Sequence, residues 1–161
     1  MTPAMDTDET VLLSRHLRRM RVTWAVFIVT VPLVAVGGFL MPHLTTDVGS
    51  PLIVTLLVLA MSLWVVATAD REARLRLERV KRAFAVHGEV PRLLRDHWLV
   101  LLAVLIRLEI VVLGGLVVAV WGVGPWVGLW FDFAGALLMA RAWPTENKSQ
   151  ILIERARELL P

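Results

Sequence analysis

Four long apolar stretches constrain this chain more than any other feature of its sequence. They cover residues 23–41, 52–69, 98–121 and 126–142. Each is close to the roughly 20 apolar residues that cross a hydrocarbon core about 30 Å thick, and helices are the spanning structures that satisfy their own backbone polar groups. The sequence therefore predicts an all-α, polytopic membrane protein of one domain, with four transmembrane helices in two antiparallel hairpins.

The composition agrees with this class and excludes several others. Hydrophobic residues make up 57% of the 161 residues, charged residues make up 19%, and there is no cysteine. A disordered chain, a disulfide-stapled secreted domain and a soluble enzyme are excluded, as are thiol chemistry and cysteine-based zinc sites.

The basic residues predict how the chain is oriented. All but one of the 17 lie before the first stretch, between the second and third, or from residue 141 onward, and the connections 42–51 and 122–125 contain none. Since loops that stay in the cytoplasm hold the positive charge, both termini and the middle segment are expected to be cytoplasmic, in the cell (inner or plasma) membrane.

The polar segments 1–22, 70–97 and 145–160 carry apolar residues at helical spacing, so they are expected to be amphipathic cytoplasmic helices. Gly88 is placed to end one helix and Thr145 to cap another. Two arrangements remain open: the helices lie on the inner leaflet, or they pack as a cap below the membrane. The residues expected to contact lipid headgroups or a partner are Arg71, Arg74, Arg79, Lys81 and Arg82.

Three charged residues interrupt the last two apolar stretches: Arg107, Glu109 and Asp132. A charge at the membrane centre costs at least about 2.5–3.5 kcal/mol, so each needs a partner. Arg107 lies nine residues after Trp98 and Asp132 lies nine residues before Arg141, which predicts equal depth and an Arg107–Asp132 ion pair.

Glu109 points about 200° away from Arg107 and must meet something else. With Thr30 and Ser62 at similar depth, the five residues form a predicted intramembrane polar site. Three interpretations remain open: the charges fix helix register, they line a polar pathway or ligand site, or the third span is shifted toward Ile110. In the last case Arg107 and Glu109 would lie near the inner surface.

Motifs for catalysis are missing from the sequence. There is no phosphate-binding loop, nucleophile elbow or HExxH motif, and His16, His43, His87 and His97 have no metal-ligand spacing. We therefore predict no catalytic, cofactor-binding or metal-binding residues and no cofactor.

These patterns favour a non-catalytic membrane module whose basic cytoplasmic helices dock a partner or anionic lipid. The alternative is an oligomeric channel or transporter that uses the polar site, and a membrane-embedded enzyme is the weaker third. The expected partners are the bilayer, anionic headgroups, and a second copy or a membrane protein, with no nucleic acid.

Overall fold

The computed structural model describes residues 7–41 and 50–159, and the described chain is all-helical. The predicted connection 42–51, including His43, lies largely outside the described residues. The five helices are α1 (Thr7–Leu40), α2 (Pro51–His87), α3 (Val90–Trp121), α4 (Pro125–Arg141) and α5 (Glu146–Arg157).

The helix ends follow local sequence signals. Gly88 ends α2 in the left-handed conformation, with φ of 68°, and its N–H donates to the carbonyl oxygen of Phe84. Pro91 lies in the first turn of α3, where its missing N–H costs nothing. Thr145 caps α5 by accepting a hydrogen bond from the backbone N–H of Lys148. These signals agree with the boundaries that the sequence predicts.

Polar and apolar segments join without a break in three helices. The first amphipathic segment and the first apolar stretch form the single helix α1, α2 runs from Pro51 to His87, and α3 runs from Val90 to Trp121. Since α2 has 37 residues, it is about 55 Å long, far more than a hydrocarbon core of about 30 Å. A large part of it therefore extends beyond its apolar stretch.

Helix α3 is the centre of the molecule. It packs against α1, α2 and α4, while α1 also packs against α4. The last two apolar helices, α3 and α4, are sequence neighbours that pack together. Helices α1 and α2 each pack on α3, and they are not among the extensively packed pairs of the described residues.

Small residues bring α4 close to α3. A Cβ atom added to Gly115 would lie 2.7 Å from the carbonyl oxygen of Gly128, and one added to Gly128 would lie 3.0 Å from the Cβ of Ala119. Such separations are possible only where side chains are absent, as expected for helices that associate inside a membrane.

The polar ends of the helices pack together as a cap. Its buried core joins α1, α2, α3 and α5 through Leu13, Leu17, Phe84, Leu93, Leu94, Ile153 and Ala156. Of the two arrangements left open by the sequence, the structure has the cap.

Three described helices, α1, α2 and α3, have the length and apolar character needed to cross a membrane. Helix α4 is also apolar but has 17 residues, at the lower limit for a span. The chain thus has the features of a small helical membrane protein.

Candidate functional site

Arg107 meets α2 rather than α4. Its Nη2 lies 2.6 Å from Oε2 of Glu72, and both side chains are partly exposed. The hydrogen bond from Arg107 lowers the pKa of the Glu72 carboxyl below its ordinary value. The expected Arg107–Asp132 pair is replaced by an Arg107–Glu72 pair.

The register between α3 and α4 explains the difference. Gly115 faces Asp132, and Gly135 faces Val112. Asp132 is therefore level with a position eight residues beyond Arg107, about 12 Å away along the helix axis. The expected equal depth required Trp98 and Arg141 to be level, but α3 continues into the cap.

The same register places Arg107 level with the points where the apolar stretches of α2 and α4 end. Counting six residues on from Gly135 brings Arg141 level with Ile106 of α3. On the side of α3 that faces α2, Gly114 lies near Ser62. Asp70 is eight residues further along α2, which brings it level with Ile106 as well. The apolar stretches of α2 and α4 thus end beside Arg107. Helix α3 ends at Trp121, so it does not run on through Gly122 as a third span shifted toward Ile110 would require.

Glu109 faces α1. The hydroxyl of Thr30 donates a hydrogen bond to its Oε1 over 2.7 Å. Its other carboxyl oxygen, Oε2, is buried and has no hydrogen-bond partner among the described residues. Two residues of the predicted polar site, Thr30 and Glu109, are therefore in contact.

Asp132 and Ser62 are both buried, with relative exposures of 4% and 5%. Oδ1 of Asp132 lies against the backbone of Gly115, and Oγ of Ser62 lies near Gly114 on another side of α3. Neither atom has a hydrogen-bond partner within the described part of the chain.

The five residues of the predicted polar site therefore lie at three separate interfaces of α3. Arg107 and Ser62 are at the interface with α2, Glu109 and Thr30 at the interface with α1, and Asp132 at the interface with α4. This arrangement gives each neighbouring helix its own polar contact region on α3.

The predicted basic contact residues lie on the cap portion of α2. Arg71, Arg74, Arg79 and Arg82 are exposed, whereas Lys81 is held by Glu78 over 2.7 Å. Leu75 and Val86 are also exposed, at 52% and 79%, on the side of α2 that carries Arg71, Arg79 and Arg82. The outward face of α2, defined by these five residues, is both basic and apolar.

A histidine pair in the cap was missed by sequence reasoning. Nε2 of His16 lies 3.4 Å from Nδ1 of His97, although 81 positions separate the two residues. Both lie outside the apolar stretches. Burial lowers the pKa of each histidine to about 4, with a further lowering of His16 by Arg19 and of His97 by His16.

Next to this pair, Arg19 binds the ring face of Trp98, with 3.8 Å between the guanidinium carbon and the ring centroid. The indole N–H of Trp98 donates to Oγ1 of Thr23 over 3.0 Å. Only the register of α1 on α3 brings these residues together, so no local sequence signal could have found them.

Comparisons with protein-family models, curated proteins and solved structures find no match to this chain.

Proposed function

We propose that this chain is a small non-catalytic membrane protein that docks an acidic partner protein through the outward face of α2. Four helices span the membrane in this proposal, with α4 as the short fourth span and the cap in the cytoplasm. The apolar stretches of α2 and α4 end at the same level, which supports a common membrane boundary for these two helices. The excess of arginine on the cap supports its cytoplasmic side.

The observation that carries the proposal is the two-sided character of α2 in the cap. Phe84 is buried in the cap core at 4% exposure, so that side of the helix is already used. The outward face combines three exposed arginines with Leu75 and Val86. A partner with an apolar ridge flanked by carboxylates would bury the two aliphatic side chains and pair the guanidinium groups.

Distance favours a protein over the lipid surface as the occupant of this face. Arg79 and Arg82 lie nine and twelve residues beyond Asp70, or about 14 and 18 Å along α2 from the end of its apolar stretch. If α2 keeps the direction of its membrane span, Arg82 extends away from the headgroups. Arg71 and Arg74 stay near them.

Site-specific photo-crosslinking in cells tests the docking proposal. A crosslinking residue at Leu75 should yield one discrete protein adduct, and mass spectrometry should identify its partner surface as acidic. The double variant Arg79→Gln/Arg82→Gln should abolish the adduct. The same crosslinker at Ile151, an exposed position on α5, is the matched control and should give none. A lipid adduct at Leu75, or an adduct unaffected by the arginine changes, would contradict docking of a protein here.

A second candidate function is transport. It is favoured by the buried oxygens of Glu109 and Asp132 that lack hydrogen-bond partners among the described residues. Because the two carboxyl groups face different helices, a shared pathway through them would require a second copy of the chain.

Flux through reconstituted vesicles tests this alternative. Glu109→Gln should change ion flux if Glu109 lines a pathway, while Glu89→Gln in the cap is the matched control. Equal flux in folded wild-type and Glu109→Gln protein would remove the transport alternative.

A further inference from the structure

We propose that a cleft between α1 and the start of α5 binds the headgroup of one anionic phospholipid, of a class whose head also carries hydroxyl donors. The site requires only that the chain lies in a membrane. It does not use the outward face of α2, so it is independent of the proposed docking of a protein.

The cleft has a volume of about 500 Å³ and two unlike walls. Arg18, Arg21, Val22 and Ala25 of α1 form one wall, and Trp143 and Glu146 line the other. The second wall belongs to the segment that leads from α4 into α5. The cleft thus lies where the chain changes from membrane to cap.

Along α1 the lining changes from charged to apolar within about one helical turn. Arg18, Arg19 and Arg21 are the last basic residues before the first apolar stretch, and Arg18 and Arg21 line the cleft. Val22, at 58% exposure, is followed on the same side of the helix by Val26 and Val29, at 62% and 56%. A phosphate at the arginines would leave attached acyl chains beside this valine stripe, so the cleft fits an amphiphile better than a free anion.

The charges of the cleft match a headgroup that has one phosphate and a hydroxyl group. Arg18 and Arg21 are three residues apart on one helix face, both are exposed, and neither forms an ion pair within the described residues. Two guanidinium groups in this arrangement can bind one phosphate. The carboxylate of Glu146 can accept a hydrogen bond from a headgroup hydroxyl, and it repels a second negative charge.

The aromatic wall is held in place before any ligand arrives. Trp143 packs edge-on against Trp24, with 4.5 Å between ring centroids. The indole N–H of Trp24 donates to the carbonyl oxygen of Met139 over 2.7 Å, and Nζ of Lys148 donates to that of Trp143 over 3.0 Å. An indole at this boundary is the usual neighbour of lipid headgroups.

Native mass spectrometry of protein released from nanodiscs tests the site. The nanodiscs contain equal parts of phosphatidylglycerol and phosphatidylcholine. Wild-type protein should retain one phosphatidylglycerol in preference to phosphatidylcholine. Arg18→Gln/Arg21→Gln should lower that preference about 20- to 30-fold, because each arginine near an anionic surface contributes a factor of about five.

The matched control is Arg92→Gln/Arg95→Gln, which removes two exposed arginines at the same spacing on α3, outside the cleft. It should leave lipid retention unchanged, as should Arg79→Gln/Arg82→Gln on the docking face. An equal loss in either control would replace the site by diffuse charge attraction and overturn the proposal.

Two further measurements test the apolar wall and the preference for a lipid over free phosphate. Ala25→Trp fills the apolar wall from an exposed position and should lower lipid retention even if the arginine variant fails to fold. Inorganic phosphate, added alone at millimolar concentration, should not displace the lipid. Displacement by phosphate, or a wild-type protein without lipid preference, would overturn the proposal.

Discussion

The two halves of α3 hold their neighbours by different means. From Leu108 to Trp121 the helix packs through glycine, alanine and valine, and Gly115 allows the backbone of α4 to come close. From Val90 to Arg107 it packs through leucines in the cap and through polar contacts at His97, Trp98 and Arg107. The half from Leu108 to Trp121 is held mainly by close packing, with a single hydrogen bond from Thr30 to Glu109, whereas the half from Val90 to Arg107 combines apolar packing with several polar contacts.

This difference predicts which perturbation should destabilise each half of α3. Close packing of small residues is sensitive to added volume and insensitive to pH or salt. Buried histidines respond to protons instead. Added volume should therefore destabilise the half from Leu108 to Trp121, and acid should destabilise the half from Val90 to Arg107. The following variants test this difference.

The largest effect is expected in the half that is held mainly by close packing. Gly115→Ala places a Cβ atom against Asp132 and the Gly128 carbonyl, so α4 must move away. We expect the free energy of unfolding in detergent to fall by about 2–3 kcal/mol, measured by denaturant titration with tryptophan fluorescence.

Gly37→Ala is the control for this change. The added Cβ would be 4.0 Å from its nearest neighbour, and alanine favours helix by up to about 1 kcal/mol. Equal destabilisation by the two variants would show that α4 is not held by close packing.

Acidification should affect the cap half next most strongly. The pKa of His16 and His97 is about 4 in the folded chain, below the ordinary 6.5, so the unfolded state binds more protons between these values. Stability should therefore be lost as the pH falls below about 6.5, by about 1–2 kcal/mol for the two histidines together between pH 7 and pH 6.

His16→Gln/His97→Gln should flatten this pH dependence, while His87→Gln, at an exposed position, should preserve it. Unfolding curves at pH 7 and pH 6 make the comparison. A pH dependence that persists in the double variant would assign it to other groups.

A smaller effect is expected where α1 meets α3 in the apolar half. Thr30→Val keeps the shape and removes the hydroxyl that donates to Glu109. Interhelical hydrogen bonds of this kind contribute about 0.6 kcal/mol on average, so the loss should be near that value. Thr68→Val is a control, because among the described residues that hydroxyl donates only to the backbone of its own helix. A loss at Thr30 no larger than at Thr68 would contradict a stabilising contact with Glu109.

The smallest effect is expected for the exposed pair at the junction of the two halves. A double-mutant cycle of Arg107→Gln and Glu72→Gln should give a small favourable coupling that decreases with added salt. A cycle of Arg107→Gln and Asp132→Asn should be additive within about 0.5 kcal/mol, because their helix positions are about 12 Å apart. Coupling only in the second cycle would restore the pairing that the sequence predicts.

The sequence predicts the helices well because their signals are local. Apolar spacing, Gly88, Pro91 and Thr145 set boundaries that the structure confirms. Amphipathic spacing also predicts that each polar segment has one apolar side to bury, but it left open whether that side lies on the inner leaflet or packs in a cap. These properties depend on residues within one or two helical turns.

The contacts of Arg107 and His16 could not be predicted in the same way. The apolar stretch 98–121 is long enough to be placed at several depths, so Trp98 was an unreliable marker of the inner end. Glu72 lay in a segment that the pattern identified as basic surface. The His16–His97 contact depends on how α1 and α3 align along their full lengths, which no local pattern encodes.

The cap has a consequence for the order in which the molecule is completed. Its core contains Leu13 from the first described helix and Ile153 and Ala156 from the last. During synthesis α5 emerges after the other four described helices, so this core can close only once α5 has been made. The apolar side of the early cap segments therefore stays uncovered until then, and closure of the cap is a late step that joins α5 to α1.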